Sequence, residues 1–242
     1  DARRPSMSER EPIILLAHGS PDPRHATGIA ALATRVAAAG EAAVHVAYLD
    51  HHGPTPADAA QAAGRGVVVP ALLSLGYHAR VDVPAAIEAM QAAAPGPFRA
   101  ASGLGLGRAV LDGVGELLVR AEVADVRDLH VVLALAGTSA PEAIEELSAA
   151  LTVARAAVDG PTWAALASVT EPTHLVGYAG PAADGVPTVV VPVALCEGVL
   201  RDRVITAALG LGLDTVAGVL ADTDALARLV VARATQALLG TS

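Results

Sequence analysis

The sequence predicts an α/β protein built from two tandem, doubly wound domains with mainly parallel four-stranded sheets and a cleft between them. Short apolar runs alternate with helix-length patterns along the whole chain, which implies parallel strands joined by right-handed crossovers. The second half repeats the plan of the first, with matching glycines after matching strands. The hydrophobic fraction is 53%, carried by Ala, Val and Leu with one Trp, three Tyr and one Phe, a composition suited to tight packing of small side chains.

In the first half, Ile13-Ile14-Leu15-Leu16-Ala17 marks a strand near 12–17, Val44 to Leu49 one near 43–49, Val67-Val68-Val69 one near 66–73, and a short apolar stretch one near 98–101. Helices are expected near 24–39, 56–63, 81–94 and 106–121. In the second half, strands are expected near 129–136, 163–169, 187–195 and 215–220, and helices near 140–158, 201–210 and 223–239. The chain therefore divides into a polar, Arg-rich leader over 1–10 expected to be disordered, with Met7 as an alternative start, a domain over 11–124 and a pseudo-repeat over 125–242.

The repeat is clearest where Val67-Val68-Val69-Pro70 with Gly76 matches Val189-Val190-Val191-Pro192 with Gly198. A looser match sets Leu16-Ala17-His18-Gly19-Ser20 against Ala134-Leu135-Ala136-Gly137-Thr138. Tandem duplication explains both.

Composition also bounds the partners. No uninterrupted apolar segment reaches the ~18–20 residues a membrane helix needs, so a soluble protein is expected, and a single cysteine fits a reducing cytoplasm. A net charge of −9 argues against a nucleic-acid partner. The single cysteine, Cys196, excludes an internal disulfide framework, and its apolar surroundings read as core. All sixteen basic residues are Arg, so every cationic contact is a planar fork able to grip a carboxylate.

The candidate chemistry lies at strand ends, where open α/β sheets bind ligands. His18 and His78 each stand where an apolar run gives way to a glycine-flanked turn, and imidazole is both a metal ligand and a base near neutral pH. The repeat supplies a control: it keeps the glycines but has Ala136 and Leu200 at the histidine positions, so the fold does not require them. A purely structural role at a loop carbonyl does not explain that joint loss. Asp50 ends the second strand, with Thr170 as its apparent counterpart, and reads either as a metal ligand or proton acceptor or as a turn or capping residue. His51 and His52 could join a metal site or be solvated. His45 reads as packed, and His25, His130 and His174 as structural or exposed.

Gly19 and Ser20 precede a helix and could present amides to an anion, while Ser20 or Asp22 could equally cap that helix. Arg24 and Arg80, close to the two histidines, are candidates for gripping substrate carboxylates or for a solvated surface. Ser20 with His18 lacks the G-x-S-x-G nucleophile elbow, and Gly103-x-Gly105-x-Gly107 lacks the full dinucleotide fingerprint.

Three segments together resemble the sirohydrochlorin chelatases of the CbiX/SirB type, which are class II chelatases. They are Leu15 to Arg24, Val46 to Asp50, and Gly76-Tyr77-His78-Ala79-Arg80-Val81-Asp82-Val83-Pro84. The resemblance covers roughly residues 11–120, and the second half looks like the degenerate domain of two-domain members. It implies insertion of Fe²⁺ or Co²⁺, with Ni²⁺ also admissible, into sirohydrochlorin or a related tetrapyrrole, as in sirohaem or cobalamin synthesis. On it, His18 and His78 match the family's active-site histidines, and Asp50 matches a position where members often carry Glu. No organic cofactor is implied; the metal is a substrate.

The expected mechanism has His18 and His78 facing each other across the cleft to coordinate the metal and remove ring protons. Asp50 assists, and Arg24, Arg80 and the Gly19-Ser20 amides meet the ring carboxylates. Imidazoles release a borderline metal that several thiolates would retain. Iron is favoured over cobalt because no His-rich tract occurs. The competing readings are a metal- or tetrapyrrole-binding carrier without turnover and a small-molecule sensor. A monomer is expected, with a dimer as the alternative.

Overall fold

The computed structural model describes residues 11–73, 77–122, 129–135, 145, 149, 152, 162–166 and 187–240, and among them it holds eight strands and six helices. Side chains of 77–80 and 162–166 lie outside that description, as do most of the helix expected at 140–158 and the expected counterpart of Asp50. Backbone contacts divide the chain into two compact units, Asp1–Gly105 with Leu226–Ser242, and Leu106–Ala225.

The first unit holds β1 (Ile13–Ala17), α1 (Pro23–Gly40), β2 (Val44–Tyr48), α2 (Pro56–Ala63), β3 (Gly66–Pro70), α3 (Tyr77–Ala93) and β4 (Phe98–Ala100). Its parallel sheet runs β2-β1-β3-β4, so β1 lies between β2 and β3. All five residues of β1 and of β3 are buried, as central strands covered on both faces must be. Ile14, Leu16, Val68 and Ala47 pack with Met90 and Phe98 in the core cluster under α2 and α3. Ile13, Leu15, Val67 and Val69, alternating with them, turn to the other face, and α1 buries Ile29, Leu32 and Val36.

Local chemistry sets the helix starts. Asp22 caps α1 by accepting from the Arg24 amide at 3.0 Å, and Pro23 opens the first turn. Thr55 and Asp58 form a reciprocal capping box on α2, which holds the Asp58 carboxyl below the usual carboxylate range.

The second unit contains α4 (Arg108–Arg120), β5 (His130–Leu135), β6 (Thr162–Leu166), β7 (Thr188–Val193), α5 (Val199–Gly210) and β8 (Asp214–Thr215), then a 3-10 turn at Leu220–Asp222. Its parallel sheet runs β6-β5-β7-β8, the same order as the first. The register repeats as well: Leu16 pairs with Pro70 on one sheet and Ala134 with Pro192 on the other. Val132, Ala134 and Val190 pack with Val204 and Ala208 of α5.

The last helix is α6 (Asp224–Leu239). Each unit holds one sheet, with α4 grouped in the second and most of α6 in the first. Gly40 at the end of α1 abuts Val231 of α6, and Gly113 of α4 abuts Leu220 and Thr223. Glu116 of α4 accepts from the Asp224 and Ala225 amides at 2.7 and 2.9 Å, so it caps the start of α6.

Three elements differ from expectation, among them β3, which ends at Pro70 and not near 73. α3 begins at Tyr77 instead of near 81, with Pro84 inside it. Proline is favoured in a first helical turn and disfavoured in an interior, which pulled the expected start downstream. The strand expected at 215–220 stops at Thr215, because Gly218 takes φ +97° and its carbonyl accepts from Arg201 Nε at 3.2 Å. Among the described residues no helix is long and apolar enough to cross a membrane.

Candidate functional site

The order β2-β1-β3-β4 fixes where a ligand would bind. The chain leaves β1 toward β2 on one side and returns to β3 on the other, so the switch point lies between β1 and β3, at their carboxyl ends. His18 directly follows β1, and His78 is the second residue of α3, reached from β3 by the loop after Pro70. Both positions therefore belong to one end of one sheet in the first unit. They lie on neighbouring connections of a single sheet. His78 and Arg80 sit in the first turn of α3.

His18 is half-buried, and its Nδ1 lies 3.2 Å from the Gly19 carbonyl. A carbonyl only accepts, so Nδ1 carries a proton and donates in this contact, the kind of backbone acceptor that steadies a metal-ligating imidazole. Gly19 has φ +94°, and a Cβ there would collide with the Asp50 carbonyl oxygen. The Asp50 amide donates to the His18 carbonyl at 2.8 Å, and the Leu49 amide to the Ala17 carbonyl at 2.9 Å. Glycine at 19 thus lets the connections after β1 and β2 touch backbone to backbone.

The Asp50 carboxylate is exposed and turns along its own loop, accepting from the His51 amide at 2.7 Å, with His51 Nε2 3.5 Å away. His51 takes φ +64° to permit this. The His52 amide returns to the Asp50 carbonyl at 2.8 Å, so residues 50–52 form a tight turn.

Ser20 Oγ accepts from the Asp22 amide at 3.2 Å, and the Arg24 guanidinium grips the Asp22 carboxylate, with Nη2 to Oδ2 at 2.6 Å. That grip, together with the capping bond from the Arg24 amide, holds the Asp22 carboxyl below the usual range. Of the two roles open to this segment the structure displays the cap, and a ring carboxylate would have to share Arg24 with Asp22.

The structure also gathers residues the sequence left apart. His25, in the first turn of α1, lies 6.4 Å from the Tyr48 ring, and His52 packs edge-on to the same ring at 5.4 Å, measured between centroids. Burial, then the nearby His52 and His18, push the His25 imidazole below its ordinary value, so it is held neutral. A histidine one turn into a helix whose N-terminal loop carries His18 was the available signal for this grouping. His45 is half-buried on β2 and His130 half-buried at the start of β5; His174 lies outside the described residues. Among the described residues no three His, Cys, Asp or Glu side chains converge on one point that could hold a metal, and the His78 side chain is not among them.

In the second unit the position matching His78 is Leu200, exposed in the first turn of α5 after Gly198. Cys196 is buried, and burial followed by the Asp222 charge pushes its thiol up to about 12. That is inert core, as its apolar run implies.

Comparison with known proteins agrees with this layout. The CbiX family model matches residues 12–121. SirB from Bacillus subtilis, solved with Fe3+, has a TM-score of 0.77 at 18% identity, covering 93% of this chain and 94% of that one. CbiX, described as the terminal enzyme for biosynthesis of sirohaem in denitrifying bacteria, has a TM-score of 0.63 at 19% identity, covering 94% and 99%. A CbiX protein from Marinobacter aquaeolei is 36% identical over 45% of this chain and 98% of its own, with a TM-score of 0.39. No curated protein matches the chain. The β1 and β3 connections with their two histidine positions fall inside the matched span, and the chain belongs to the CbiX family.

Proposed function

We propose that this protein inserts a divalent metal into sirohydrochlorin or a related tetrapyrrole, with Fe²⁺ favoured and Co²⁺ the next candidate. The observation that carries the reading is the placement of His18 and His78 on the two connections that flank the switch point of one parallel sheet. The second unit has the same sheet order but Leu200 at the matching position, so the chemistry is assigned to the first unit.

Insertion requires the metal to shed water and the macrocycle to lose two pyrrole N–H protons. His18 Nε2 offers a lone pair to the incoming metal while its Nδ1 proton is held on the Gly19 carbonyl. His78, in the first turn of α3, is the second ligand or base in this proposal. Asp50, tied to the His18 backbone, is a third ligand or the acceptor of a released proton. Imidazole and carboxylate bind such metals without the retention of a thiolate cluster, which suits transfer. Arg80, the Gly19 and Ser20 amides and a shared Arg24 are assigned to the acidic side chains of the ring.

Anaerobic incubation with sirohydrochlorin and each of Fe²⁺, Co²⁺ and Ni²⁺ tests this. The metal-free absorption spectrum is expected to convert to that of the metallated ring in a single turnover, fastest with Fe²⁺. A protein that binds the ring and leaves its spectrum unchanged with every metal is a carrier, and the reading is then wrong.

A further inference from the structure

Asp22 does more than cap α1. Its carboxylate takes the Nε/Nη2 edge of the Arg24 guanidinium, with Nε to Oδ1 at 3.0 Å and to Oδ2 at 3.2 Å, and Nη2 to Oδ2 at 2.6 Å. That edge presents two parallel N–H donors, the geometry in which an arginine holds a carboxylate in bidentate fashion. An acidic side chain of a ligand can be held there in the same way only after Asp22 lets go.

The two partners are unequally fixed. Asp22 is tied to the backbone: its Oδ1 accepts from the Arg24 amide at 3.0 Å, and its own amide donates to Ser20 Oγ at 3.2 Å. The Arg24 side chain is 42% exposed, so a carboxylate in solution can reach it. When the guanidinium turns outward the capping bond stays, and the exchange gives up only an ion pair at the surface, which is weak. The Asp22 carboxyl, held below its usual range by Arg24, is ionised at neutral pH and competes as a full charge.

The repeat supplies a second observation. Continuing the match of Gly19-Ser20 with Gly137-Thr138 sets Pro23 on Pro141, but Ala140 stands for Asp22 and Glu142 for Arg24. The proline is kept and the ion pair is lost, together with the histidine at 18. The pair therefore goes with the half of the chain that carries the proposed insertion site.

We propose that Asp22 is an intramolecular competitor for Arg24 that sets how tightly the site holds an acidic side chain of its tetrapyrrole, keeping the grip weak enough for release. This rests on the reading that Arg24 meets a ring carboxylate.

The test measures the affinity of the full chain for metal-free sirohydrochlorin, followed by the fluorescence of the ring. Asp22→Asn keeps an oxygen for the helix cap and removes the charge. It is expected to bind the ring about 2–5-fold more tightly than wild type, the range of an exposed ion pair. Arg24→Ala is expected to bind more weakly than wild type, and adding Asp22→Asn to it is expected to change nothing. A purely structural role for Asp22 predicts no gain in the first variant, and a general effect of charge predicts the same gain in both backgrounds. In wild type with ¹³C-labelled aspartate, the Asp22 carboxyl signal is expected to shift as the ring is added, a readout that needs no substitution. The proposal is overturned if Asp22→Asn binds the ring no more tightly than wild type, if the gain persists in the Arg24→Ala chain, if the Asp22 signal stays still at saturation, or if wild type binds no ring. Failure of the insertion reading alone is distinct: the ring would bind with the expected order of affinities while its spectrum stayed metal-free with every metal.

Discussion

Gly19 is the residue on which the local geometry turns. Its φ of +94° and the closeness of the Asp50 carbonyl leave no room for a side chain, so the contact between the β1 and β2 connections depends on glycine. Gly19→Ala is expected to cost about 1–3 kcal/mol in chemical denaturation and to lower insertion activity, because it pushes His18 and Asp50 apart. Cys196 gives a second prediction at this scale. Its thiol is raised from 9.0 to about 12 in the fold, so above pH 9 the unfolded chain releases a proton that the folded chain keeps. Stability should fall as pH rises between 9 and about 12. Urea midpoints of wild type should drop across that window more steeply than those of Cys196→Ala.

Single residues also mark what could be read from sequence alone. His18 and Asp50 were legible because each ends an apolar run, and strand ends converge in a parallel sheet. The bond between their backbones depends on the β1–β2 register, which no local pattern encodes. The His25 and His52 pairing was not legible for the same reason: α1 and the turn after β2 meet only through the folded sheet. Arg24 reads equally as anion grip or surface residue, and only the folded chain reveals its hold on Asp22.

At the scale of elements, strands and helices were legible through alternation and period, and the failures were backbone effects. Pro84 hid the first turn of α3, and Gly218 ended β8 early. Capping between elements was invisible, since Glu116 and Asp224 are far apart in sequence. The Glu116 carboxylate satisfies two amides at the start of α6, and Arg120 Nη1 donates to the Asp222 carbonyl of the preceding turn at 2.7 Å. Glu116→Ala should destabilise the protein by about 1–2 kcal/mol in thermal or urea unfolding, with Glu116→Gln losing less.

At the scale of the molecule, duplication was legible in the Val-Val-Val-Pro repeats, and the two sheets share order and register. The grouping of α4 with the second unit and α6 with the first was not, because a helix's sequence gives its buried stripe but not the unit it joins. α4 buries Val110, Leu111, Val114, Leu117 and Leu118 within the second unit. A fragment of residues 11–124 therefore carries α4 without the rest of the unit that holds it and lacks α6. Neither it nor 125–242 should fold cooperatively alone, and co-expression should restore a complex with a cooperative melt. Independent, cooperative unfolding of each fragment would contradict that grouping.

The central claim, that the first unit performs metal insertion through His18 and His78, is tested most directly by the initial rate of anaerobic Fe²⁺ insertion into sirohydrochlorin. Wild type is compared with His18→Ala and His78→Ala chains whose circular dichroism and melting match it. Each substitution is predicted to slow insertion by about 100-fold or more, whereas wild-type rates in both folded variants would contradict the claim.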